Sequence, residues 1–166
     1  MPDPKPVKAR LPPRWFIRLA WVVHRCLYRW TSGRLGLWQP KRGGWGTLRL
    51  TTIGRRTGQA RPVIVGYFED GPNLFTMAMN GWGDAEPAWW LNLQAHPDVT
   101  VELVDGPRQV TGRAVRGDER EWLWARWRQI TKNLDDYAAR RSRQTAVVVL
   151  QPRRQSHDKS HATRNC

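Results

Sequence analysis

Thr47-Leu-Arg-Leu-Thr-Thr-Ile53 runs without a break into Gly54-Arg-Arg-Thr-Gly-Gln-Ala-Arg61. In the first part Leu48, Leu50 and Thr52 alternate with Arg49, Thr51 and Ile53. A period of two puts one set on each face of a half-buried strand. The residues that follow break the period with two glycines, a threonine and three arginines. Gly54 and Gly58 allow backbone conformations closed to other residues and let a ligand approach the main chain. Thr57 adds a hydroxyl, and exposed amides in such a turn form an anion-binding nest. Arg55, Arg56 and Arg61 supply forked donors that match phosphate or carboxylate oxygens. The stretch reads as an anion cradle at the end of a strand, beside the plainer reading of a hairpin connection with solvated arginines. It lacks the Gly-Lys-Ser/Thr ending of a P-loop, and no Gly-x-Gly-x-x-Gly opens a helix here.

Downstream, Pro62–Glu69 is apolar and β-branched, Asp70-Gly71 is a hairpin turn signal, and Asn73–Met79 returns as a strand. Asn80-Gly-Trp-Gly83 is a loop. Pro87 suits the first turn of a short helix carrying Trp89, Trp90, Leu91 and Leu93 and ending near His96-Pro97. Val99–Val104 and Arg108–Val115 form another hairpin around Asp105-Gly-Pro107. Asp118–Lys132 is helical, with Trp122, Trp124 and Trp127 and an acidic first turn that suits the helix dipole. A second helical piece surrounds Tyr137, and Thr145–Leu150 is a final apolar strand. Six or so antiparallel strands with a few helices make the fold class mainly β with helices (α+β), a small barrel decorated by helices.

The charge of the 166-residue chain, +14, is unevenly placed. Residues 1–46 carry +9 and 152–166 carry +3, which leaves +2 for 47–151. Residues 1–13 and 153–166 read as disordered basic ends around a folded domain at 47–152. Between them, 14–30 forms a basic amphipathic helix, followed by a Gly-rich connection to residue 46. Arg14, Arg18, Arg25 and Arg29 share one side of that helix; Phe16, Leu19, Val23, Leu27 and Trp30 occupy the other. Its length and arginines exclude a membrane span or a secretory signal. Either its apolar face packs on the domain, or the helix rests on an anionic membrane surface. Cys26 and Cys166 lie at opposite ends with no spaced partners, which argues against a disulfide framework or a structural zinc site, and the four histidines form no ligand-spaced cluster. A reducing, cytoplasmic setting fits, and peripheral attachment to the inner face of the membrane is the alternative.

Taken together, Leu50-Thr-Thr-Ile-Gly-Arg-Arg-Thr-Gly58, Met77-Ala-Met-Asn-Gly81, Pro87-Ala-Trp-Trp-Leu-Asn-Leu93 and Ala95-His-Pro-Asp-Val-Thr-Val101 carry a resemblance, with Asp118-Glu-Arg120 and Val147-Val-Val-Leu150 behind them. The segment 47–152 resembles the deazaflavin-dependent nitroreductase family of actinobacteria, which uses coenzyme F420. The resemblance implies a split β-barrel. It implies that Gly54, Arg55, Arg56, Thr57, Gly58 and Gln59, assisted by Arg61, hold the coenzyme's phosphate and acidic tail. Met77, Ala78, Met79 and Asn80 match the segment whose backbone lies along the deazaflavin ring. Trp89 matches a signature residue, either a pocket wall or a core support, and Asn92 one that ties helix to strand. Tyr137 matches a tyrosine on the substrate side that orients an acceptor oxygen or supplies a proton; a partly buried structural aromatic is the equal alternative. The chain departs from the family pattern at Ala60, Ile64 and Ala146. It departs also at Leu134, where a nitro-activating relative has another tyrosine, and at Met79, which replaces a small hydroxyl residue. These changes leave the cradle intact and detach the chain from nitro-prodrug activation.

A cofactor that performs the chemistry explains why the chain has no convincing triad, metal cluster or carboxylate pair. The reaction expected is hydride transfer between reduced deazaflavin and an electron-poor small molecule: a quinone, an enone or other activated alkene, or a nitroaromatic. Menaquinone would suit a pocket mouth held at the membrane. FMN in the same cradle is the first rival. A non-catalytic basic module for membrane or nucleic acid is the second, disfavoured because the charge lies in the tails. No specific nucleic-acid partner is expected, and monomer and dimer stay open.

Overall fold

The computed structural model describes residues 36–41, 44–81 and 83–153. The helix expected over 14–30, residues 1–13 and residues 154–166 lie outside the described residues, whereas Arg153 donates its N–H to the Gln109 carbonyl at 3.0 Å. The described chain runs β1 (Gly46–Ile53), β2 (Ala60–Asp70), β3 (Asn73–Met77), α1 (Ala88–Ala95), β4 (Asp98–Leu103), β5 (Gly106–Ala114), α2 (Gly117–Ile130), α3 (Leu134–Ala138) and β6 (Val147–Pro152). Its six strands close into an antiparallel barrel in the order β1-β2-β3-β6-β5-β4. β1 pairs with β2 along its whole length and with β4 through Arg49–Thr51, so both of its edges are covered.

The alternation of β1 decides what faces inward. Leu48 and Leu50 are fully buried, opposite Val65 and Val63 on β2 and, for Leu50, Val101 on β4. Every strand adds to this lumen cluster, among them Tyr67, Leu74, Val110, Val148 and Leu150. On the outward face Arg49 pairs with Glu102 across the β1–β4 ladder at 3.2 Å. β6 does not alternate, because both of its faces are covered. Val148 and Leu150 enter the lumen, while Val147 and Val149 join Phe68, Phe75, Met77, Leu123, Trp124, Trp127 and Leu134 in a second cluster. That cluster holds α2 and α3 against the outside of the barrel.

Within α2, Trp124 and Trp127 are buried whereas Trp122 is half exposed. The Arg126 guanidinium lies 5.5 Å from the Trp122 ring and 5.1 Å from that of Phe68, and it bonds Asp70 at 3.0 Å. β3 stops at Met77, two residues before its expected end, because the Met79 N–H turns back to the Met77 carbonyl. Gly46 lets the segment from Gly36 to Pro40 cross the start of β1: an added Cβ would meet the Trp38 carbonyl at 2.4 Å.

α1 closes one end of the barrel, with Trp89, Trp90 and Leu93 in the lumen cluster. It approaches β5 at a position without a side chain. A methyl group on Gly112 would stand 2.6 Å from Leu93 Cδ2 and 2.9 Å from Leu93 Cγ, and Leu93 is fully buried. Gly112→Ala should therefore overpack this contact and cost about 1–3 kcal/mol in urea unfolding. Combined with Leu93→Val, the loss should be smaller than the two single losses added, as expected for groups in direct contact.

Candidate functional site

The turn between β1 and β2 is braced from within. The Gly54 carbonyl accepts from the Thr57 and Gly58 amides at 3.1 and 2.7 Å, and the Gly54 N–H donates to the Gln59 carbonyl at 2.8 Å. Gly58 takes φ +66°, a left-handed conformation that favours glycine. At Gly54 the turn folds so tightly that a Cβ would lie 2.9 Å from Thr57 Oγ1. The Gln59 N–H reaches Thr57 Oγ1 at 3.4 Å, and Arg61 Nη2 donates to Gln59 Oε1 at 3.2 Å. Residues 55–61 are exposed on the outside of this frame.

These bonds correct one sequence expectation. The amides of the turn do not form an open nest, because those of Gly54, Arg55, Thr57, Gly58 and Gln59 all have partners within the chain. What the turn offers an anion is side chains: the guanidinium groups of Arg55, Arg56 and Arg61 on a stiff support. Arg56 is exposed and meets no acceptor among the described residues. This donor set fits a polyanionic group carrying phosphate and carboxylates, since guanidinium forks match both geometries.

The support reaches into the core through Asn92 of α1. Its buried Oδ1 accepts from the Arg55 N–H at 3.2 Å and from Arg55 Nη1 at 3.4 Å. Its Nδ2 donates to Thr52 Oγ1 at 3.3 Å, and the Thr52 hydroxyl donates to the Arg61 carbonyl at 3.2 Å. Thr52, polar but inward-facing, is thereby satisfied. Trp89 lies in the lumen cluster at 8% exposure, with its ring 6.3 Å from that of Trp90. Of its two possible roles, this burial favours core support.

The second predicted segment starts where β3 ends. Met77 is buried in the outer cluster, Ala78 in the lumen cluster, Met79 is half-buried against the outer cluster, and Asn80 is exposed. The Ala78 N–H donates to the Ala146 carbonyl at 2.9 Å. The Ala78 carbonyl accepts from Arg141 Nη1 at 3.1 Å.

Tyr137 is half-buried on α3, with the Arg140 guanidinium 5.7 Å from its ring centre. Asn133, left-handed at φ 61°, turns the chain into α3. Asp135 then docks that helix on α2, accepting from Trp124 Nε1 at 2.7 Å and from Arg128 Nε at 2.8 Å. The hydrogen bond from Trp124, and after it Arg128, holds the Asp135 carboxyl below its ordinary range. Leu134 is fully buried in the outer cluster, so the position where a relative has a second tyrosine is core in this chain.

Sequence reasoning missed Arg141. It sits in the basic run Arg140-Arg-Ser-Arg143, which gives no sign of which arginine turns inward. A cavity of about 530 Å³ elsewhere is lined by Trp38, Gln39, Lys41, Gly44, Trp45 and Ile130, none of them a predicted site residue. No described helix is long and apolar enough to cross a membrane.

The sequence profile of the F420H(2)-dependent quinone reductase family matches residues 21–152. F420H(2)-dependent quinone reductases of Mycobacterium tuberculosis (strains H37Rv and CDC 1551) are each 34% identical over 147 residues, which cover 82% of this chain and 95% of theirs. Among solved structures, an F420-H2 dependent reductase superposes with TM-score 0.58 at 25% identity, covering 63% of this chain and 93% of that one. A domain-swapped dimer superposes with TM-score 0.61 at 25% identity, covering 84% of this chain and all of that one.

The Asn92 contacts have a measurable consequence. Asn92→Leu leaves the Arg55 amide and the Thr52 hydroxyl without their acceptor and donor, and should cost about 1–3 kcal/mol in urea unfolding. Trypsin should then cut the native protein faster at Arg55 and Arg56. Arg56→Ala, an exposed change, should stay within about 0.5 kcal/mol of wild type.

Proposed function

The chain belongs to the F420H(2)-dependent quinone reductase family, and from that premise we propose how its own residues carry the reaction. It is an F420-dependent oxidoreductase, and the family sets aside the FMN and non-catalytic alternatives. When bound, reduced deazaflavin supplies the hydride that, with a proton, converts a quinone to its hydroquinone. The observation that supports the reading is the braced turn with Arg55, Arg56 and Arg61 on its exposed side, where the proposal sets the coenzyme's phosphate and acidic tail. Gly54 and Gly58 close that turn, and Thr57 and Gln59 brace it.

The strand end at Met77, Ala78, Met79 and Asn80 is the proposed support of the ring system. Its side chains are mostly withdrawn into the two apolar clusters, so a planar ligand would meet main chain there. Tyr137 is proposed to hold the acceptor oxygen and to pass it a proton, its own or one from water. Holding the acceptor in place is the larger contribution, because orientation removes the entropy of a bimolecular encounter. A quinone is the acceptor class favoured here.

Titration with F420 tests the cradle. Replacing Arg55 and Arg56 together by Ala should raise the Kd about 10–100-fold, the loss of one or two charge-assisted hydrogen bonds. Tyr137→Phe should leave Kd unchanged and lower kcat with a quinone by about 10–100-fold, toward the lower end of what a proton donor contributes. Wild-type affinity in the arginine variant would refute the cradle.

The sequence of 14–30, which reads as a basic amphipathic helix, supports a further proposal, that this segment brings the chain to an anionic membrane where lipid-soluble quinones reside. Each basic residue near such a surface adds about 1 kcal/mol. Changing Arg14, Arg18, Arg25 and Arg29 to Gln in the full chain should abolish flotation with phosphatidylglycerol vesicles. Unchanged flotation would refute the membrane role.

A further inference from the structure

Arg141 is the one charged residue among the buried polar groups of the described chain, at 6% exposure. It follows α3 by three residues, and its guanidinium joins three other segments. Nη1 donates to the Ala78 carbonyl at 3.1 Å and to Thr145 Oγ1 at 2.8 Å. Nη2 donates to Glu86 Oε1 at 3.4 Å, and the Glu86 side chain is itself mostly covered. The next residue repeats the pattern: the Ser142 N–H and hydroxyl both donate to Asp84 Oδ1, at 2.6 and 2.9 Å. Those two bonds hold the exposed Asp84 carboxyl below its usual range. Nε of Arg141 and Oε2 of Glu86 are buried without a partner among the described residues.

A buried guanidinium is an expensive way to join segments, because desolvation offsets much of its attraction to a carboxylate. Apolar packing would hold β3 to β6 at least as well. What the guanidinium adds is planar geometry: fixed N–H directions toward acceptors on three segments at once. One of those acceptors belongs to the segment proposed to support the ring, and the guanidinium stands four residues past Tyr137. We propose that Arg141 is a positioning residue for hydride transfer, fixing the Ala78 carbonyl relative to the helix that carries Tyr137 and so the separation of coenzyme and acceptor. The proposal rests on the F420 reading. The cradle is braced separately, at Asn92, so the proposed grip on the coenzyme's tail and the strand end proposed to lie under its ring are held by different networks.

Two variants of the full chain test this. Arg141→Lys keeps a positive charge but loses the planar fork. Arg141→Met combined with Glu86→Gln removes both charges and leaves no buried carboxylate uncompensated. In hydrogen exchange without coenzyme, the Ala78 amide, bonded to the Ala146 carbonyl, should exchange about tenfold faster or more in the double variant, as local opening becomes easier. The Kd for F420 should stay within about threefold of wild type, since the cradle is untouched. Single-turnover hydride transfer from F420H2 to the soluble quinone menadione should fall about 10–100-fold per bound coenzyme, the scale of an ångström-sized misplacement. Arg141→Lys should fall between. A purely structural role would lower the melting temperature and leave the rate per bound coenzyme at its wild-type value, and that result overturns the proposal. So does wild-type exchange at Ala78, or a Kd that weakens as much as the rate. A wild-type protein that fails to bind F420 would instead refute the coenzyme reading, and Arg141's role with it.

Discussion

The buried side-chain amide of Asn92 fixes the candidate site. Such a group in an apolar setting must find hydrogen-bond partners, and this one finds them on two other segments. Its oxygen takes the Arg55 amide and its nitrogen reaches Thr52, whose hydroxyl continues to the Arg61 carbonyl. Both ends of the arginine-bearing turn are thereby tied to one helix that plugs the barrel. Because the backbone groups of the turn are mostly satisfied internally, little flexibility is left to be lost when an anion binds. Preorganisation of that kind reduces the ordering penalty of association.

α1 carries both networks. Asn92 lies within it, and Glu86, two residues before it, receives Arg141. Between them Trp89, Trp90 and Leu93 anchor the helix in the lumen. The close contact of Leu93 with Gly112 fixes its height over β5. The barrel core is thus the common reference for the cradle and for the strand end at Ala78. A substitution at Gly112 would disturb both at once.

The parts of this arrangement that follow local rules were legible in the sequence. Leu48, Leu50 and Thr52 announced a strand with one buried face, and the unbroken Val147–Leu150 run announced a final apolar strand. Asp70-Gly71 and Asp105-Gly106 marked hairpins through their turn chemistry. What stayed hidden depends on contacts distant in sequence. Nothing in Arg140–Arg143 distinguishes the arginine that turns inward, because its acceptors lie on Ala78, Glu86 and Thr145. The amides of the cradle looked available from the sequence, and only the folded turn shows them occupied. Trp122 and Trp124 are two residues apart with opposite fates, decided by which side of α2 meets β6. The arginines of the cradle could be named as anion ligands from residue type and spacing. The family resemblance implied that Asn92 ties helix to strand; that it bonds Arg55 is visible only in the fold.

The two departures near the acceptor side bear on the choice of substrate. Leu134 is packed into the outer cluster, so α3 contributes one phenolic hydroxyl, that of Tyr137, where a relative has two. Met79 puts a thioether where a hydroxyl would stand, against the same apolar cluster. A nitro group must lose oxygen as it is reduced, which calls for protons delivered at defined points. A quinone needs a hydride at the ring and one proton on oxygen, and its carbonyls already make it electron-poor. On the proposed reading, in which Tyr137 is the one phenolic donor beside the acceptor, the second reaction is served and the first is not. On that reading, Leu134 and Met79 stand where polar groups would serve nitro reduction and are not required for hydride transfer to a quinone.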